Sequence, residues 1–193
     1  MLFLVAYLFY NDGVQTVINA SSIFGIKELG FAQETILIAF LVVQFVAFFG
    51  ARGFGAIAAR IGAWRSVRWS LLLWGVVVTV GFFLPKNQFV PFLAMSILIG
   101  LTLGGTQALS RSMYSQLIPA GREAEYFSLY QAMERGTSWF GTLLFGIVHQ
   151  ATHSYRAAVL ALVVFFVIGG LLLSRVRMLE GIKAAGNVPP LVV

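Results

Sequence analysis

The chain has 193 residues, 59% of them hydrophobic and 10% charged, with a mean hydropathy of +0.89. A soluble domain carries about 25% charged residues, so this composition excludes a water-soluble domain and predicts an all-α protein embedded in a bilayer. No cysteine is present, which excludes disulfides, thiolate metal sites and thiol catalysis. The formal net charge of +6 sits at the ends of apolar segments, where it reads as a topology signal and not as a nucleic-acid footprint.

A spanning helix needs about 20 mostly apolar residues. Six stretches meet that need, at about 2–24, 35–58, 67–84, 90–112, 126–149 and 156–175. The first lacks a basic leader and is expected to be retained as a helix. It carries Tyr7, Asn11, Gln15, Asn19 and Ser22 at spacings of four, four, four and three, with Asp12 at the edge of that face. Asp12 lies about ten residues in, or roughly 15 Å deep. An intramembrane carboxylate is costly and marks a solute or ion path; a hydrogen bond to a neighbouring helix is the alternative.

The second stretch carries Gln44, and the third, Trp69 to Val78, is mostly apolar. In the fourth, Ser96, Gly100, Gly104, Gln107 and Arg111 form a narrow stripe. The glycines suit close helix packing. Arg111 reads as a side chain that snorkels to headgroups, or as a gate.

In the fifth, Gln131, Glu134, Arg135, Ser138 and Thr142 share one face. Arg135 is expected to pair with Asp12 across the bundle, leaving Glu134 as a protonatable group; a static network holding the helices together is the alternative. His149 and His153 lie four apart without a third ligand nearby, so no metal and no other cofactor is expected. The sixth stretch has no polar side chain from Ala157 to Leu173. Residues 1–178 are thus expected to form the transmembrane domain, and 179–193 a flexible cytoplasmic tail.

Nine basic residues fall on one side of these segments and three on the other, with Arg135 inside a helix. The positive-inside rule then predicts that both termini are cytoplasmic. The polarity pattern suggests two three-helix repeats whose third member faces lipid.

Between the second and third segments, Gly55, Arg60, Gly62 and Arg65 match the loop signature of the major facilitators, Gly-x-x-x-Asp-Arg-x-Gly followed by a basic residue. The acidic position is Ala59 here, which removes the carboxylate of the family's usual latch. Two longer stretches are more specific. Tyr10 to Thr16, and Gln107 to Ser112 running on to Ile118-Pro119 and Glu125-Tyr126-Phe127, resemble the C-terminal half of the vacuole-effluxer-like branch, as does Glu134 to Trp139.

That resemblance implies half of a major-facilitator fold, built as a 3+3 inverted repeat. It also implies secondary transport, with amino acids the nearest substrate precedent, in a bacterial inner membrane. The substrate path would run along Asn11, Asp12, Gln15, Asn19, Gln107, Arg111, Gln131, Glu134, Arg135 and Ser138. Lone polar faces would meet lipid, so a homodimer or a separate six-helix half is expected to complete the cavity. A non-transporting interaction subunit is the alternative. An intramembrane enzyme is the least supported reading, because no serine elbow is matched by a mid-membrane histidine.

Overall fold

The computed structural model describes residues 1–135 and 139–190, and the regular structure among them is helical. The helices are α1 (Leu2–Lys27), α2 (Gln33–Ile61), α3 (Ala63–Phe82), α4 (Phe89–Ser115), α5 (Glu123–Arg135), α6 (Trp139–Thr152), α7 (Tyr155–Ala161), α8 (Val163–Ser174) and α9 (Met178–Ala184). Among the described residues, three runs are long and apolar enough to cross a membrane, namely α2, α4 and Tyr155–Ser174, the last passing through α7 and α8. Leu162 between α7 and α8 keeps right-handed helical angles, φ −65° and ψ −16°. The expected fifth span begins in α5 and ends in α6, with residues 136–138 outside the described chain.

Turn chemistry sets the breaks. Gly62 has φ +93°, a left-handed angle that L side chains rarely adopt, and it alone separates α2 from α3. What reads in the sequence as a loop signature is therefore mostly helix: Gly55 and Arg60 lie in α2, and Arg65 in the first turn of α3. Pro91 falls in the first turn of α4, where a missing N–H costs nothing. Gly121, at φ +85°, turns the chain from α4 into α5.

The bundle is held by close backbone approach. A Cβ added at Gly100 would sit 2.7 Å from the Val43 carbonyl oxygen, and one at Gly50 or Gly104 would collide with the Leu101 or Ala47 carbonyl. These three glycines let α2 lie directly along α4, as small residues do in membrane interfaces. Gly13 and Gly169 do the same between α1 and α8, against Phe165 and Tyr10. Trp74 of α3 is fully buried, stacks on Phe166 of α8 at 5.6 Å and donates to the Thr106 hydroxyl of α4 at 3.1 Å.

Two expectations are revised here. The third and sixth segments are not simply the lipid-facing members, because α3 packs on α4, α7 and α8, and α8 packs on α1. The helix with the broadest apolar exposure is α2, through Leu37, Leu41, Phe45, Phe48 and Phe49. An apolar side chain is equally at home in lipid and in protein, so hydropathy does not distinguish the two. Residues 179–184, expected in a flexible tail, instead belong to α9, with Ile182 buried.

The far end of the bundle is tied by charge. Glu28, just after α1, accepts from Arg156 of α7 at 2.9 Å and pairs with Lys86 at 3.3 Å. Arg156 also donates to the Phe82 carbonyl and to the Leu84 carbonyl at 2.7 Å. Burial raises the Glu28 carboxyl, but the Arg156 and Lys86 contacts outweigh that and hold it below its ordinary value. His149 stacks on Tyr155 with ring centroids 3.9 Å apart.

Candidate functional site

The polar stripe of α1 passes from interior to surface. Tyr7, Asn11 and Asp12 are buried, Gln15 is half-buried and Asn19 is exposed. Asn11 sits where three helices meet: it donates to the Glu134 carbonyl of α5 at 3.2 Å and accepts from Gln107 of α4 at 2.8 Å. Tyr10 and Ser110 share a hydrogen bond of 2.7 Å beside it. The four-residue spacing on α1 and the Gln107 stripe on α4 therefore converge at one level.

Asp12 does not pair with Arg135. Its Oδ2 accepts from the Gly141 backbone N–H of α6 at 2.7 Å, and Oδ1 is buried without a hydrogen-bond partner among the described residues. Arg135 is exposed, and no ion pair among the described residues includes it. The sequence places both residues at similar depth, but their azimuths differ: Asp12 points into the α1–α6 contact, and Arg135 points off the bundle. Glu134 is not left alone either; it pairs with Arg111 at 3.7 Å. The Arg111 side chain remains 62% exposed.

Several contributors are not evident from polarity alone. Tyr130 stacks on Tyr7 at 4.3 Å and on Tyr114 at 5.1 Å, while the Arg111 guanidinium lies 5.9 Å from its ring. The signal available for it was its place one turn before Glu134. Thr16 is buried with its hydroxyl unpartnered among the described residues, and an added Cβ at Gly141 would collide with it. That close approach is what brings the Gly141 N–H to Asp12.

Gln131, Arg135 and Asn19 are exposed and Gln15 is half-buried, while Ser138 lies outside the described residues. Of the loop-signature residues, Gly62 is buried at the α2–α3 break, while Gly55, Arg60 and Arg65 are exposed and distant in sequence from the polar face. Among the described residues no three histidine, aspartate or glutamate side chains gather as metal ligands.

An all-helical integral membrane protein with a polar face assembled from α1, α4 and α5 is the class these features define. The chain belongs to the vacuole effluxer Atg22-like family, whose sequence profile matches residues 1–186; this bears out the resemblance carried by Tyr10–Thr16 and Gln107–Ser112. It is 33% identical over 173 residues to an uncharacterized MFS-type transporter, YxiO, of Bacillus subtilis (strain 168), covering 90% of this chain and 40% of that protein. Autophagy-related protein 22 of Saccharomyces cerevisiae (strain ATCC 204508 / S288c) is 28% identical over 166 residues, 81% of this chain and 31% of its own. The Kluyveromyces lactis protein of the same name is 26% identical over 179 residues, 87% and 36%. The Bacillus relative is named as an MFS-type transporter and the two fungal relatives as autophagy-related proteins, none of them as an enzyme. The chain spans well under half the length of each of them.

Proposed function

We propose that residues 1–178 form one six-span half of a secondary transporter that moves a small solute, with amino acids the class to test first. The observation that carries this reading is that Asn19, Arg111, Gln131 and Arg135 are exposed and Gln15 half-buried, on the three helices whose inner faces meet at Asn11. Such groups are costly against lipid, so they call for a second half packed opposite. A second copy of the chain related by a two-fold axis along the membrane normal is the simplest supply; a separate six-helix half is the other.

Neighbour relations support a 3+3 inverted repeat. In that arrangement α2 on α4 corresponds to α1 on α5 and α6, and α3 on α4 corresponds to α8 on α1, while α3 meets α7 and α8 across the pseudo-axis. The charge asymmetry of nine basic residues against three supports cytoplasmic termini in a bacterial plasma membrane.

Coupling to protons fits Asp12 better than Glu134. Glu134 has Arg111 as counter-ion, whereas Asp12 meets a backbone N–H and no cationic side chain among the described residues. Counterflow of amino acids in proteoliposomes, with and without an imposed pH gradient, tests the reading. Asp12→Asn is expected to abolish the gradient's effect while leaving exchange at equal pH. Full gradient-driven flux in both Asp12→Asn and Glu134→Gln would discard proton coupling, and no flux of any amino acid would discard the substrate class.

A further inference from the structure

The segment after α8 is bound to the α4–α5 connection by polar and apolar contacts together. The Asn187 amide donates to the carbonyls of Gln116 at 2.9 Å and Ile118 at 2.8 Å. Gln116 is the C-cap of α4, and carbonyls at a helix end have no partner within the helix. Asn187 therefore caps α4 from 71 residues away in sequence. Ile182 is fully buried and Met178 and Ile118 nearly so. Gly181 leaves room for Leu117, whose Cδ2 would lie 2.8 Å from a Cβ added there.

The connection it grips leads straight to the polar face. Tyr114, in the last turn of α4, donates to the Tyr126 carbonyl of α5 at 2.9 Å and stacks on Tyr130. One turn further in, Arg111 of α4 meets Glu134 of α5. The register of α4 against α5 is thus set at the gripped end and read out at the Arg111–Glu134 pair.

We infer that residues 178–187 are a built clamp that fixes the α4–α5 connection and positions Arg111 against Glu134. Its consequence for flux rests on the transporter reading; the clamp itself does not, and is tested without flux. The chain has no cysteine, so spin labels at Ser112→Cys and Ser128→Cys, both exposed, report the α4–α5 distance in lipid nanodiscs. A second pair at Gln88→Cys and Gln150→Cys, also exposed, reports the other end of the bundle.

Asn187→Asp keeps the shape but removes the donor. It is expected to broaden the Ser112–Ser128 distance distribution, leave the Gln88–Gln150 pair unchanged, and speed amide exchange over residues 114–118 by about tenfold, the effect of losing two hydrogen bonds. Gly181→Leu, which wedges α9 off Leu117, is expected to do the same by a different route. Unchanged distances and exchange in both variants would overturn the clamp. Equal disturbance at both ends would also overturn it, since the segment would then support the whole bundle and not this connection. With the clamp upheld, absence of flux in the parent chain would count against the transporter reading alone.

Discussion

Arg156 makes contacts that no other side chain could supply in one place. Its planar fork reaches the Glu28 carboxylate and the carbonyls of Phe82 and Leu84 together, so it joins the start of α7 to the ends of α1 and α3. A lysine is a point charge without that fork. Arg156→Lys is therefore expected to lower the melting temperature in detergent nearly as far as Arg156→Ala. Glu28 gives this tie an acid limb. A carboxyl held below its ordinary value contributes stability above 4.5, and that stability is lost as pH falls through the depressed value. Thermal unfolding followed downward from pH 6 is expected to show a loss below 4.5 that Glu28→Gln reduces; an identical acid limb in the variant would remove Glu28 as its source. Neither partner was legible as a pair in the sequence, because 128 residues separate them and nothing local announces a tertiary ion pair. Asp12 shows the same limit. Its depth could be counted along the helix, but its partner is a backbone N–H, which every residue but proline carries.

Between helices, packing depends on where side chains are missing. Gly104 of α4 faces the Ala47 carbonyl with no room for a Cβ, whereas a Cβ at Gly75 of α3 would meet nothing within 4 Å among the described residues. Gly104→Ala is expected to destabilise by about 1–3 kcal/mol, the usual cost of overpacking, and Gly75→Ala to be neutral or slightly stabilising, since alanine favours helix. Denaturation of both variants in the same micelle checks the contrast, and equal losses would refute the α2–α4 contact as described. The stripe of Gly100 and Gly104 made this packing legible from spacing alone. The roles of α3 and α9 were not. Trp74 is the most deeply buried large side chain of an apolar run that hydropathy assigns to lipid, and Ile182 is buried in a stretch whose glycine and prolines suggest a loose end.

Exposed side chains are mostly apolar on α2, α3 and α8, whereas on α1, α4 and α5 Asn19, Arg111, Gln131 and Arg135 add a polar exterior beside exposed Leu2, Ile23 and Ile97. If two copies close around the polar one, Asn19 of each should approach its counterpart. Asn19→Cys is then expected to crosslink in native lipid, while Leu171→Cys, on the 63% exposed apolar face, does not. The reverse result would put the apolar face between the copies and leave the polar surface to a different partner. Size determination in nanodiscs gives an independent check, since a strictly monomeric particle would exclude the homodimer.

Composition and periodicity determined that the chain is helical, lives in a bilayer, carries a polar stripe on its first, fourth and fifth segments and packs through glycine. Those properties depend on one residue type repeating at 3.6-residue spacing, and spacing is a local quantity. Only the tertiary structure decided that Asp12 answers to Gly141, that Glu134 answers to Arg111, that α3 is partly interior, and that the last helix grips the α4–α5 connection. Each of those depends on the azimuth and register of one helix against another, which apolar sequence leaves open because lipid and protein solvate it equally well.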